Sequence, residues 1–120
     1  SNSLKVEPEK VALNPLDEEL LKKAIAIVEK HMDNVEFSTE IFAREMCMSR
    51  SNLHIKMKAL TGESANDFIR KMRFNQACKL LKEGKYTVSE ISGMVGFNTP
   101  SYFATSFKKY FGCLPSEYGK

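Results

Sequence analysis

The chain has 120 residues, 42% of them hydrophobic, with eight Phe and six Met, enough apolar material for one helical domain or two very small ones sharing a core. Its net charge of +3 is uneven: residues 1–37 carry a balance of −3 and residues 38–120 a balance of +6, an electropositive footprint suited to a polyanion. Three widely spaced cysteines, Cys47, Cys78 and Cys113, with only His31 and His54 beside them, exclude a disulfide framework or a zinc-finger spacing, so no metal or cofactor is expected.

Ser1-Asn2-Ser3 reads as a tag remnant, and residues 4–15, with two prolines and alternating charge, read as a linker from something upstream. From Leu16 the pattern turns helical. Leu20, Leu21, Ala24, Ile25, Val28 and Met32 form one apolar stripe behind the acids Asp17, Glu18 and Glu19, which predicts a helix over 17–32. Helices over 39–46 and 50–60 follow. Gly62 then breaks the chain before a long helix over 64–82, with Phe68, Ile69, Met72, Ala77, Leu80 and Leu81 facing inward and Gly84 at its end. Helices over 88–95 and 100–110 come next, the latter with Pro100 in its first turn, and a short turn begins at Pro115-Ser116. No segment alternates at period two. The expected fold is all-α, with about seven helices in a domain over residues 16–120.

Residues 38–62 and 87–112 are two versions of one pattern. Phe42, Ala43, Met46, Met48, Leu53, Met57 and Thr61-Gly62 in the first correspond to Ile91, Ser92, Val95, Phe97, Phe103, Phe107 and Phe111-Gly112 in the second. The offset is 49 residues in the first halves and 50 in the second halves, so the second copy has one extra residue at its turn. Each copy has a short amphipathic segment, a tight turn, and a second segment opening on Ser, Thr or Asn, the build of a helix-turn-helix. Gly96 stands where the turn needs a positive φ, and Cys47 at the matching position is expected to be mildly strained.

A helix over 64–82 would span about 28 Å, close to the ~34 Å repeat of B-DNA, so one chain could hold two reading helices in successive major grooves. A shortfall would bend the DNA, at a cost of order 1–6 kcal/mol. On the first reading helix, Leu53, Met57 and Leu60 form the buried stripe, leaving Arg50, Ser51, His54, Ile55 and Lys58 outward. Ser51 and His54 suit base edges, Ile55 a thymine methyl, and Arg50 and Lys58 phosphates. A solvated Lys58, a plain surface His54 and a half-buried packing role for Ile55 are the plainer alternatives. On the second reading helix, Phe103, Phe107 and Tyr110 are expected in the core, with Ser101, Tyr102, Thr105 and Lys108 near the groove. Tyr102 either reaches a phosphate or covers the core edge. Asn98 and Thr99 either only cap the helix or also present backbone N–H groups to a phosphate.

Met48-Ser49-Arg50-Ser51-Asn52-Leu53, Lys58-Ala59-Leu60-Thr61-Gly62, Arg73 with Ala77 and Leu80-Leu81, Val95-Gly96-Phe97-Asn98, Tyr102-Phe103, Ser106-Phe107-Lys108-Lys109, Phe111-Gly112 and Pro115-Ser116-Glu117-Tyr118 resemble the DNA-binding domain of the AraC/XylS family. The likeness runs from about Asp17 to Tyr118 and is nearest to the output domain of hybrid two-component regulators, in which sensor, kinase, receiver and this domain share one polypeptide. It implies seven helices, two helix-turn-helix units joined by a long helix, and binding to promoter DNA to activate transcription. The implied partners are double-stranded DNA, upstream receiver and sensor domains of a parent chain, and RNA polymerase. A cytoplasmic location without membrane contact is expected, within a parent that can be anchored in the inner membrane. Ile55 and Thr105 depart from the family, whose members often carry a basic residue there, and neither can donate bidentately to guanine.

The leading rival is a helical interaction module binding an acidic partner, which leaves the duplication and the uncharged polar tips of both reading helices unexplained. An enzyme is not expected. There are no paired carboxylates on one predicted face, no Gly-rich phosphate loop, and no nucleophile and acid partner beside either histidine.

Overall fold

The computed structural model describes residues 13–119. The tag remnant and most of the expected linker therefore lie outside the described residues. The first helix, α1 (Pro15–Lys30), begins two residues before its expected start. Pro15 opens this helix instead of ending the linker: the Asn14 side chain accepts a hydrogen bond from the Asp17 backbone N–H at 2.8 Å, and a proline at the first helical position gives up an N–H that no carbonyl could have received. Leu21, Ala24, Ile27 and Val28 are its buried face.

Five more helices follow: α2 (Thr39–Glu45), α3 (Arg50–Thr61), α4 (Ala65–Glu83), α5 (Val88–Met94) and α6 (Pro100–Phe111), then a single 3-10 turn at Pro115–Glu117. The all-α expectation holds among the described residues, and each helix lies within two residues of its expected bounds. Side-chain caps explain most starts. Ser38, Ser49, Ser64, Thr87 and Thr99 each accept a hydrogen bond from the backbone N–H three residues on. Gly62 and Gly112 close α3 and α6 in the left-handed conformation, donating to the carbonyls of Lys58 and Lys108.

The described residues divide into two compact units. One comprises residues 13–31 and 37–72; the other comprises residues 32–36 and 73–119, so that the single 19-residue helix α4 contributes to both. In the first unit Leu21, Val28, Phe42, Leu53, Met57, Leu60 and Phe68 are fully buried, and Phe42 stacks against Phe68 at 6.2 Å between ring centroids. A fully buried side chain of this size contributes about 1.5–3 kcal/mol.

The second unit is aromatic. Phe74 from α4 meets Phe97, Phe107, Tyr110 and Phe111, while Phe107 also packs edge-on against Tyr118 at 5.6 Å. Tyr110 departs from expectation: it keeps 39% of its surface exposed although its ring lies 4.7 Å from Phe74. Leu60, fifty positions earlier, is buried, but a tyrosine at the matching place lays its ring over Phe74 and leaves its edge outside the core.

Candidate nucleic-acid interface

Two identical turns set the presentation of α3 and α6. In the first unit the N–H of Cys47 donates to the Arg44 carbonyl at 3.0 Å and that of Met48 to the Ala43 carbonyl at 2.9 Å. The second repeats the pair at a constant offset, Gly96 to Gly93 at 3.1 Å and Phe97 to Ser92 at 2.9 Å. Both turn residues lie in left-handed space, Cys47 at φ 61° and Gly96 at φ 81°, as their positions in the repeat predict. The next equivalent pair, the caps Ser49 and Thr99, is one residue further apart. The extra residue of the second copy is therefore Asn98, exposed just ahead of the α6 cap.

Each second helix then buries one stripe and displays another. On α3, Leu53, Met57 and Leu60 are buried, while Arg50, Ser51, His54, Ile55 and Lys58 are exposed. Ile55 keeps 66% of its surface exposed, so the half-buried packing role is ruled out. Lys56, on the other flank, is turned to Asp17 of α1 at 3.8 Å. On α6, Phe103 and Phe107 are buried, while Ser101, Tyr102, Thr105 and Lys108 are exposed along with Asn98 and Thr99. Tyr102 is 60% exposed, with its ring 5.7 Å from that of Phe97, so it leans on the edge of the core yet reaches outward. Thr99 caps α6, its hydroxyl accepting from the Tyr102 N–H at 3.0 Å.

Neither α3 nor α6 contains a carboxylate, whereas α1, α2, α4 and α5 each carry at least one in the first turn. These two helices offer a polyanion hydroxyls, an imidazole and cations, with no carboxylate of their own to repel it.

In the first unit the outer face of α3 borders a groove of about 470 Å³. Arg50, Ser51, His54 and Ile55 line it from α3, Thr39 from the start of α2, and Ser64, Ala65 and Asn66 from the start of α4. Thr39, Ser64 and Asn66 were not among the expected interface residues. They come from two other segments, the starts of α2 and α4, and only folding brings them beside His54. The Ser64 hydroxyl caps α4, and Lys71 with Glu63 forms an ion pair that fastens the approach to that helix.

Elsewhere in the first unit the Glu45 carboxylate meets His31 Nε2 at 2.7 Å and Lys30 Nζ at 3.3 Å. The histidine hydrogen bond, reinforced by Lys30, holds the Glu45 carboxyl below the ordinary carboxylate range. The His31 ring in turn stacks on Phe37 at 4.6 Å.

A family model described as a helix-turn-helix domain matches residues 42–120. Histidine kinase P4 of Formosa agariphila is 41% identical over 118 residues, 98% of this chain, but the chain spans only 9% of that protein's length. The C-terminal domain of the two-component response regulator yesN from Fusobacterium nucleatum superposes with a TM-score of 0.79 at 26% identity, covering 85% of this chain and 99% of that one. The DNA-binding domain of AdpA, a global transcriptional factor solved in complex with a target DNA, gives a TM-score of 0.75 at 28% identity, over 83% of this chain and 88% of the other. The duplicated turns, capped and acid-free second helices and these likenesses converge: the chain belongs to the AraC-type family of helix-turn-helix DNA-binding transcription regulators.

Proposed function

We propose that this chain is the output domain of a longer signalling protein and that it activates transcription by setting α3 and α6 into successive major-groove segments of promoter duplex. The observation that carries the reading is the repeated presentation of two acid-free helices with exposed polar tips, through turns with the same hydrogen bonds and the same left-handed residue. Ser51 and His54 on α3, with Ser101 and Thr105 on α6, face base edges. Arg50, Lys58 and Lys108 face phosphates, the Tyr102 hydroxyl reaches a phosphate as well, and the backbone N–H groups beside Asn98 and Thr99 donate to another. Ile55 offers only apolar surface, which fits a thymine methyl. The likeness to a histidine kinase and to a response-regulator domain supports upstream receiver and sensor domains in a parent chain, with RNA polymerase as the downstream partner. Among the described residues no helix is long and apolar enough to cross a membrane, consistent with a domain that works at DNA while any anchor belongs to the parent.

Salt dependence tests the reading. For ~6 phosphate contacts, log K on duplex DNA should fall with log[salt] at a slope near −5. Oligonucleotides selected from a random pool should carry two boxes about one helical turn, ~10 base pairs, apart. Fluorescence anisotropy that finds no duplex binding even at low salt defeats the proposal, and a single selected box leaves only one unit reading bases.

A further inference from the structure

Arg73, on α4 within the second unit, is only 7% exposed, yet none of the hydrogen bonds found for its guanidinium goes to a carboxylate. Nη1 donates to the Val95 carbonyl at 2.7 Å and the Met32 carbonyl at 3.0 Å, and Nη2 donates to the Asn34 carbonyl at 3.1 Å. Burial outweighs the nearby Asp33 carboxylate and pulls the guanidinium's pKa down, and a cation hydrogen-bonded to neutral carbonyls is costly to desolvate and a poor choice for filling a core. What the guanidinium does well is fix directions, because its planar fork imposes an angle on every acceptor.

The acceptors lie at informative places. Val95 ends α5, and its carbonyl immediately precedes Gly96, the left-handed turn residue from which the chain runs through Phe97 and Asn98 to the α6 cap, Thr99. Met32 and Asn34 belong to the short segment that joins the second unit from earlier in the chain. Gly96 has a second reason to be glycine besides its φ: a Cβ built there would fall on the Arg73 guanidinium and against the Met32 carbonyl. The matching turn of the first unit carries a Cys47 side chain exposed to solvent.

The geometry points to Arg73 as the positioning residue of the second reading helix: by tying the Val95 carbonyl to the 32–36 segment through the space that Gly96 leaves open, it sets the angle at which α6 meets DNA. The inference rests on the proposal that α6 reads bases. Arg73 itself touches no base. Its loss would leave phosphate attraction in place and blur the second unit's choice of sequence.

A thermodynamic cycle tests this with the whole chain and a duplex that the wild type has selected from a random pool, each of its two boxes scrambled in turn. Binding is measured in the cold, well below the melting transition. For the wild type, scrambling either box should weaken binding by about tenfold or more. For Arg73→Met, scrambling the first box should cost as much as before, while scrambling the second should cost less than about twofold. Amide resonances should move in residues 32–36, 95–99 and along α6, and stay in place in α3. Arg73→Lys, which keeps the cation but loses the fork, should retain the fold with intermediate second-box selectivity, and it carries the cycle if the Met variant does not fold. A purely structural role predicts a lower melting temperature with wild-type selectivity for both boxes, and that result overturns the inference. A wild type indifferent to the second box would instead defeat the two-box reading, whatever Arg73 does.

Discussion

Cys47 and Gly96 occupy the same point of the same turn, and their difference is informative. A side chain in left-handed space costs roughly 1–2 kcal/mol, offset in part by the lower unfolded-state entropy of a residue other than glycine. Since the Cys47 side chain is exposed and buries nothing, Cys47→Gly should stabilise the first unit by about 0.5–1 kcal/mol, seen as a higher urea midpoint with an unchanged slope. Gly96→Ala should have the opposite effect and a larger one, about 3 kcal/mol or more, because it adds the left-handed penalty to the displacement of a buried, hydrogen-bonded guanidinium. Tyr118 supplies a separate residue-scale test. Its hydroxyl is hydrogen-bonded to Cys78, and this bond, helped by burial, pushes its pKa up to about 12. A raised pKa favours the protonated phenol in the fold, so the associated stability is complete below the ordinary tyrosine value of 10.0 and disappears as pH rises through about 12. Ultraviolet titration should show one late-ionising tyrosinate that Tyr118→Phe abolishes; a titration curve unaltered by that substitution would mean the Cys78 contact does not form.

The helices were legible because each carries both a stripe and a stop. Ser49, Thr99, Gly62 and Gly112 mark α3 and α6 in the sequence as they do in the fold, and the caps should have measurable worth. Thr99→Ala should cost about 1 kcal/mol, by loss of the acceptor for the Tyr102 N–H. Thr87→Ala should cost at least as much, because Thr87 and Glu90 cap each other reciprocally, whereas Ser38→Ala should cost less: its bond to the Ile41 N–H is 3.4 Å long, and an isoleucine stands where Glu90 closes the box. Equal losses for all three, measured by thermal melting, would refute this ranking. Apart from the start of α1, where the Asn14 cap and Pro15 signal a helix in a stretch that otherwise reads as linker, the readings that failed are those that caps and periodicity do not encode. The exposure of Tyr110 follows from the bulk of a ring over Phe74, and the placement of Thr39, Ser64 and Asn66 beside His54 follows from folding three segments together. Arg73 stood in the sequence only as part of a family pattern. Its acceptors are 22, 39 and 41 residues away, and carbonyls belong to every residue alike, so no pattern of side chains announces them.

At the scale of the whole molecule, the repeat boundaries in the sequence and the boundaries of the folded units differ. The duplication suggests that the second helix-turn-helix could be cut out with the end of α4, yet residues 32–36 belong to that unit. Met32 packs against its aromatic cluster, and the carbonyls of Met32 and Asn34 take two of the three hydrogen bonds from Arg73. A fragment starting at Arg73 keeps Phe74, Phe103 and Phe107 but loses those acceptors, at about 1.5–3 kcal/mol for each hydrogen bond to a charged donor. A core from a chain below ~70 residues rarely supplies more than about 3–5 kcal/mol, so the loss is comparable with everything the fragment has. The fragment 73–120 should therefore show reduced helicity and no cooperative melting by circular dichroism, and it should not protect the second box from cleavage, whereas the intact chain should melt cooperatively and protect that box. A fragment that melts as sharply as the whole protein would show that the second unit needs nothing from the earlier segment. In that case the Arg73 bonds to Met32 and Asn34 would be incidental to its fold.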